Sequence, residues 1–205
     1  MDSFYFHDIC GNESLISHLQ TALRLKSISH AYILNGEDGS GKRLIATAFT
    51  AALECSLGGD EPCGHCSSCM QMISGNHPDV SFITHEKSVI SVDDIREQLN
   101  QLVLIKPYSS AYKVFIIDEA EKMNDQAQNA LLKTLEEPPE YAVIFLLTNN
   151  ENSLLETIRS RCVKLDTRPL PKEQIRAYLM EHLSLPDYQA DLAATFSCGN
   201  LGEAA

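Results

Sequence analysis

A glycine-rich stretch near residue 40 has the composition of a phosphate-binding loop. Residues Gly36 to Lys42 fit the pattern G-x-x-x-x-G-K, follow a short apolar run and precede a run of helix formers. In such a loop the glycines let backbone amides converge on a phosphate at a helix start, and the lysine adds positive charge. The sequence therefore predicts a nucleotide pocket whose loop residues are Gly36, Gly39, Ser40, Gly41, Lys42 and Arg43.

The residue after Lys42 departs from this pattern with a chemical consequence. A hydroxyl residue at this position ligates magnesium, whereas Arg43 has five donors, no acceptor and a fixed positive charge. Arg43 is therefore predicted not to ligate a metal. Two alternatives stay open. Either the loop is retained as fold architecture, empty or holding a stray anion, or it binds ATP or ADP, with or without Mg²⁺, without efficient hydrolysis.

A pair of carboxylates follows the apolar run that ends at Ile117. Because the carboxyl ends of parallel strands meet at one edge of a sheet, Asp118 and Glu119 are predicted to lie beside the glycine loop. There Asp118 would hold a hydrated magnesium and Glu119 would polarise water. The simpler alternative is that Asp118 caps the following segment and Glu119 is solvated.

Four of the seven cysteines are clustered, with the spacing Cys55-x₇-Cys63-x₂-Cys66-x₂-Cys69. In a chain without a secretory signal, such clustering favours a metal over disulfides. Four thiolates complete the shell of a closed, tetrahedral structural zinc, so all four cysteines are predicted to hold Zn²⁺. His65 is a rival ligand, and reduced free thiols are the alternative.

Alternating strands and helices are predicted to position these groups. A helix over Glu13 to Lys26, with Asn12 as its cap, leads into the first strand. The apolar runs predict five strands: Ala31 to Leu34, Val80 to Ile83, Lys113 to Ile117, Ala142 to Leu147 and Cys162 to Leu165. Helices are expected between them, including one from about Val92 to Leu104. This order predicts an α/β fold with a five-stranded parallel sheet flanked by helices.

A change of pattern at Thr167 to Pro171 predicts a domain boundary. Residues 1–166 are expected to form the phosphate-loop domain, with the zinc module at 55–69 as an insertion. Residues 167–205 are expected to form a small helical lid domain, and the lack of a terminating signal at the end suggests that it is truncated.

Composition limits the classes of function. Of the 205 residues, 44% are hydrophobic and 21% are charged, which is typical of a globular protein. A net charge of -12 argues against an autonomous DNA-binding face, so any contact with nucleic acid is expected through partners or a local patch. The absence of a long apolar run and of a basic signal region predicts a soluble, cytoplasmic protein without a membrane partner.

Nearly the whole chain resembles the AAA+ subunits of bacterial DNA polymerase III clamp loaders. The resemblance is carried by five stretches: Ile9 to Glu13, His30 to Tyr32, Ile117 to Met123, Asn129 to Pro139 and Thr157 to Cys162. It implies a P-loop AAA+ domain, and the cysteine module after the phosphate-loop helix also fits. Within the family the chain looks most similar to delta-prime subunits.

The ATP-hydrolysing gamma/tau subunits resemble the chain over the same span. Two departures separate it from those motors. Arg43 stands where a motor has Thr or Ser, and Gly199 to Ala204 lacks the arginine that motors usually place near Gly202. ATPase activity of this chain is accordingly expected to be weak or absent, and the motor role is the alternative.

The resemblance also assigns roles to individual residues. Asn149, in the pair Thr148-Asn149, would sense the outer phosphate, and a polar turn at the end of the strand is the alternative. Arg161, in Ser160-Arg161-Cys162, would act in trans as an arginine finger on ATP bound by a neighbouring motor subunit. An arginine in a loop is otherwise most often a solvated surface charge.

The implied function is that of a clamp-loader subunit of the replicative polymerase. Its expected partners are the gamma/tau and delta subunits, the sliding clamp and, through the assembly, primed DNA. The carboxyl-terminal collar domain of the family is expected to be absent from these 205 residues.

Overall fold

Five parallel strands form the centre of the molecule in a computed structural model that describes residues 4–84 and 88–204. Residues 1–3, 85–87 and 205 lie outside the described residues. They include the first residues of the predicted domain 1–166 and the last residue of the predicted domain 167–205. The strands are β1 (Ala31–Asn35), β2 (Val80–Ile83), β3 (Lys113–Ile117), β4 (Ala142–Thr148) and β5 (Val163–Asp166). Their order across the sheet is β2-β3-β4-β1-β5, so the predicted α/β architecture is confirmed.

The inner strands are buried on both faces, as their continuous apolar runs predict. Phe115 and Ile117 of β3 face one hydrophobic cluster, whereas Val114 and Ile116 face the other. Strand β4 alternates in the same way and is buried along its whole length. Strands β2 and β5 form the two edges and are only partly buried.

The helices of the described residues are numbered α1 to α9 in chain order. They are α1 (Glu13–Leu25), α2 (Lys42–Glu54), α3 (Ser67–Ile73), α4 (Val92–Ile95), α5 (Asp125–Glu136), α6 (Glu156–Arg159), α7 (Lys172–His182), α8 (Asp187–Phe196) and α9 (Leu201–Ala204). Short 3₁₀ turns lie at Phe6–Asp8, Ala120–Lys122 and Glu151–Ser153. Helices α1 and α2 pack on one face, and α4 to α6 pack on the other. No helix among the described residues is long and apolar enough to span a membrane.

Helices α7 to α9 pack on a small core of their own. Ile175 and Leu179 of α7 contact Ala190 and Ala194 of α8, and all four side chains are buried. No strand interrupts this part of the described chain. We refer to residues 167–204 as the helical lid.

Two details differ from the sequence-based expectations. The helix expected over Val92 to Leu104 is α-helical only as far as Ile95, continues as a π-helical segment at Arg96–Asn100 and ends in turns before Pro107. Asn12 does not cap α1 with its side chain. Its backbone is left-handed, and its Oδ1 accepts a hydrogen bond from the backbone N–H of Arg168, which ties α1 to the start of the lid.

Buried Asp79 fixes the loop that leads into β3. Its carboxylate accepts hydrogen bonds from the backbone N–H groups of Tyr108, Ser109 and Ser110 at 2.6–3.2 Å, and from the hydroxyls of both serines. Burial by itself raises the pKa of Asp79, but these donors, led by the N–H of Tyr108, lower it below its usual value. The nearby carboxyl of Glu54, whose pKa burial raises to about 8, is mostly neutral at pH 7.

We expect Asp79→Asn to lower the free energy of unfolding at pH 7 by about 3 kcal/mol, because buried N–H groups lose a charged acceptor. Urea unfolding measures this loss. Asp93→Asn is the matched control: exposed Asp93 lies 3.8 Å from Arg96, and the substitution should cost less than about 0.5 kcal/mol.

The stabilisation from Asp79 should also depend on pH. Because the folded-state pKa is lowered, the contribution is complete above the unfolded pKa of about 3.9 and is lost as the pH falls through the folded-state pKa. Wild type and Asp79→Asn should therefore converge in stability in acid. A gap that stays constant as the pH falls would contradict this account.

Candidate nucleotide and metal sites

The glycine loop joins the carboxyl end of β1 to the start of α2. Gly39 and Gly41 have positive φ angles of 79° and 86°, a conformation that favours glycine. A cavity of about 770 Å³ opens beside the loop. It brings together most of the predicted nucleotide residues: Gly39, Gly41, Lys42, Arg43, Asp118, Glu119 and Asn149.

The other two predicted loop residues face a different way. Ser40 lines a second cavity of about 200 Å³ between the loop and the lid, and its hydroxyl accepts a 2.9 Å hydrogen bond from Thr167. Gly36 lies against Thr167, whose Oγ1 would be 1.8 Å from a Cβ at position 36. These two residues therefore connect the loop to the start of the lid.

Lys42 is buried inside the loop that it follows. Its Nζ donates to the carbonyl oxygens of Gly36 at 2.7 Å and Glu37 at 2.8 Å, and lies 3.7 Å from Oδ1 of Asp38. Asp38 also accepts a 3.1 Å hydrogen bond from the side-chain amide of Asn149. The carboxylate of Asp38 thus contacts both Lys42 and Asn149, which were predicted to meet phosphates. The sequence pattern did not reveal this contact because Asp38 occupies a variable position of the motif.

Arg43 points across the cavity toward β3. Its Nη1 lies 3.5 Å from Oδ2 of Asp118, and its guanidinium carbon lies 4.9 Å from the ring centre of Phe82 on β2. The Asp118 carboxylate, predicted to hold hydrated magnesium, therefore has a cation of the protein beside it. Arg43 and Asp118 together do not fit a conventional Mg²⁺ site, since a positive charge takes the place of the hydroxyl ligand.

Glu119 is engaged by a neighbouring lysine. Its Oε1 accepts a 2.6 Å hydrogen bond from Nζ of Lys122, and this bond raises the pKa of Lys122. Asp118 does not cap a helix, although its Oδ1 accepts a 3.0 Å hydrogen bond from the backbone N–H of Glu119. Both carboxylates line the cavity, and each lies beside a basic side chain.

The lid contacts the glycine loop directly. The side-chain amide of Asn200 donates to the carbonyl oxygen of Asp38, and the backbone N–H of Gly202 donates to the carbonyl oxygen of Gly39 at 3.3 Å. A Cβ at position 202 would be 2.7 Å from the Cα of Gly39. An arginine at position 202 would therefore require the lid to move away from the loop.

The four clustered cysteines converge as predicted. Their Sγ atoms all lie within 4.8 Å of one another, and those of Cys63 and Cys69 are 3.8 Å apart. Zinc–sulfur bonds of about 2.3 Å in a tetrahedron place sulfurs about 3.8 Å apart, so the cluster fits a zinc ion. Nδ1 of His65 instead lies 2.8 Å from the carbonyl oxygen of Cys63.

Local structure prepares the thiols for a metal. Cys66 is the N-cap of α3, and its Sγ accepts a hydrogen bond from the backbone N–H of Cys69. Burial opposes ionisation of Cys66, but hydrogen bonds led by this one lower its pKa to about 6. Burial raises the pKa of Cys69 to about 12. A bound cation would favour the thiolate form of every ligand.

Arg161 lies at the amino ends of the parallel strands, whereas the glycine loop lies at their carboxyl ends. It precedes β5, whose last residue, Asp166, pairs with Asn35 just before the loop. A strand of this length separates the two by about 16 Å. The guanidinium is partly exposed and donates to Oε1 of Glu136 at 3.1 Å and to the carbonyl oxygen of Thr157 at 2.9 Å.

Comparison with known proteins identifies related chains. Residues 11–171 match the family model described as DNA polymerase III, delta subunit. The chain is 35% identical to DNA polymerase III subunit tau of Bacillus subtilis (strain 168), over 97% of this chain and 36% of that protein. It is 38% identical to subunit tau/gamma of Haemophilus influenzae, over 87% of this chain and 26% of that protein. The chain thus spans about a quarter to a third of these relatives.

Solved structures agree with this relationship. A gamma subunit-related protein from Thermotoga maritima superposes with a TM-score of 0.57 and 32% identity, over 87% of this chain and 57% of that one. The Thermotoga maritima RuvB Holliday junction branch migration motor superposes with a TM-score of 0.66 over 99% of this chain and 62% of that one. At 17% identity, the second match shows the fold alone, which is the AAA+ type.

We expect about one zinc per chain when the protein is purified without chelator, because four thiolates fill a tetrahedral shell. Elemental analysis by mass spectrometry measures the metal. Cys63→Ser should lose most of the zinc and melt at a lower temperature. Cys198→Ser changes an exposed cysteine outside the cluster and should alter neither value. Equal zinc content in the two variants would contradict the assignment.

Proposed function

Since the chain belongs to the DNA polymerase III delta-subunit family, we propose that it is a clamp-loader subunit of the bacterial replicative polymerase. In this role it helps to load the sliding clamp onto primed DNA and supplies Arg161 to the ATP site of a neighbouring subunit. Its partners are then gamma/tau and delta subunits in the cytoplasm, and DNA reaches it through the assembly. The net charge of -12 is consistent with indirect contact with DNA.

The position of Arg161 carries the proposal. Its own glycine loop lies at the other end of the parallel strands, so Arg161 cannot meet a phosphate bound there without unfolding the sheet. The guanidinium is nevertheless held in a defined orientation by Glu136 and Thr157 and keeps surface exposure. A fixed, accessible arginine remote from its own site suits action on a nucleotide held by another chain.

The residues around the glycine loop favour weak ATP hydrolysis, or none, in the chain's own cavity. Arg43 replaces the hydroxyl ligand, Glu119 is paired with Lys122, and the close packing of Gly202 on Gly39 leaves no room for an arginine from the lid. We therefore propose nucleotide binding in the cavity without efficient turnover. The four cysteines would hold a structural zinc, and residues 1–166 and 167–205 would act as AAA+ domain and lid.

A second candidate function is that of an ATP-hydrolysing motor. The names of the relatives favour it, because the matching curated proteins include tau and gamma subunits at 35–38% identity. In that role Lys42, Asp118 and Glu119 would form the working set. The two candidates differ in where hydrolysis occurs, and each makes its own prediction.

For the donor role, Arg161→Ala in a reconstituted loader should reduce hydrolysis at the site that receives the arginine by about 10³-fold, the lower end of what such a residue contributes. Arg161→Lys should rescue little, because a lysine lacks the planar fork of donors. The measurements are single-turnover ATP hydrolysis and clamp loading, with gel filtration to show that the loader assembles. Arg24→Ala, which alters an exposed arginine 3.5 Å from Asp60, is the control. Unchanged turnover in Arg161→Ala would refute the role.

For the motor role, the isolated chain should hydrolyse ATP steadily with magnesium, and Lys42→Ala should abolish the activity. We expect instead that the chain alone releases phosphate at no more than the rate of Lys42→Ala, because no hydroxyl ligates the metal. A phosphate-release assay with both proteins decides the point. Magnesium-dependent turnover above the Lys42→Ala background would favour the motor.

A further inference from the structure

The site of Arg43 combines three features that a magnesium-dependent nucleotide site lacks. The residue occupies the position of the hydroxyl ligand, its guanidinium lies beside Asp118, and the ring of Phe82 supports it from β2. We propose that the cavity binds a nucleoside di- or triphosphate without a divalent cation, with the guanidinium of Arg43 standing in for the metal between Asp118 and the phosphates. This inference rests on the proposed nucleotide-binding role and specifies its chemistry.

The first step of the argument is the mismatch with magnesium. Mg²⁺ requires about six oxygen ligands in near-octahedral geometry at about 2.0–2.1 Å. The carboxylate of Asp118 is the natural protein ligand, but Nη1 of Arg43 already lies 3.5 Å from its Oδ2. A divalent cation entering here would meet a fixed positive charge and would have to compete for the carboxylate. Binding of nucleotide with magnesium would therefore be no stronger than binding without it.

The second step is the fit of a guanidinium to phosphate. Arginine offers a planar set of five donors, so it can bond a carboxylate on one side and phosphate oxygens on the other. Arg43 lines the same cavity as Lys42 and the glycines of the loop. The cation–π contact with Phe82 restrains the guanidinium near the cavity wall. Two cations on adjacent residues thus lie at the wall of the cavity that would hold the polyphosphate.

The third step is the balance of the acidic groups around the cavity. Asp38, Asp118, Glu119 and Glu121 all line it, which would repel a free polyphosphate if they were uncompensated. Asp38 lies near Lys42, Asp118 near Arg43, and Glu119 is bonded to Lys122. Glu121 accepts a hydrogen bond from the backbone N–H of Asn149. The basic side chains thus offset three of the four carboxylates without a metal.

The test is to measure the affinity of the chain for ADP and for ATP by isothermal titration calorimetry, in magnesium and in EDTA at equal ionic strength. Wild type should bind with dissociation constants that differ by less than about threefold between the two buffers. Arg43→Thr restores the hydroxyl of the usual motif, so its affinity should fall by about tenfold or more when magnesium is removed. Lys42→Ala should bind weakly in both buffers, which assigns the signal to the glycine loop.

Arg96→Ala is the matched control, because Arg96 also lies beside an aspartate, at 3.8 Å from Asp93, but outside the cavity. It should bind as wild type does in both buffers, and circular dichroism should show that all variants are folded. Wild-type binding that falls about tenfold in EDTA would overturn the proposal, and so would the absence of binding in both buffers. Either failure leaves the donor role of Arg161 standing, since that role is measured through turnover in a neighbouring subunit.

Discussion

The parallel direction of all five strands is the constraint on which the arrangement of the functional groups depends. Because β1 lies between β4 and β5, the glycine loop emerges beside Asn149 at the carboxyl ends of the strands. The residues that precede β5 lie at the opposite, amino ends. Asp118 follows β3, one strand beyond β4, and reaches the same cavity. The pairing of the strands, and not local helix or strand propensity, brings these residues together, since more than a hundred positions separate Lys42 from Asn149.

The lid adds a second constraint at the same edge. Asn200 and Gly202 bond to carbonyl oxygens of the loop, and Thr167 bonds to Ser40 and Asn35 at the point where the lid begins. The acceptors in these contacts are backbone oxygens and the Ser40 hydroxyl, and not the glycine N–H groups that a phosphate requires. The lid therefore holds the loop in shape while the cavity beside Arg43 remains open. The small residue at position 202 is what permits so close an approach.

Much of this could be predicted from sequence because strong local patterns coincided with tertiary demands. The apolar runs at β3 and β4 indicated buried central strands, and the cysteine spacing indicated a metal site, since both patterns follow directly from burial and coordination geometry. Failures occurred where a distant partner decided the outcome. Asn12 bonds the backbone of Arg168 instead of capping α1, and Asp38 contacts Asn149 across the sheet edge. No local pattern encodes these partners, and the helical pattern over Val92 to Leu104 likewise did not indicate the π-helical segment at Arg96–Asn100.

The glycine loop and Arg161 lie at opposite ends of the parallel strands, and the contacts that hold one are separate from those that hold the other. Positions 43 and 202 both line the cavity beside the glycine loop, at the carboxyl ends of the strands. Arg161 is held by Glu136 and Thr157, which contact neither the loop nor the lid among the described hydrogen bonds and ion pairs. Substitutions at positions 43 and 202 therefore remove none of the described contacts of Arg161. The proposed donor role of Arg161 would therefore rest on contacts that are independent of the residues lining the cavity.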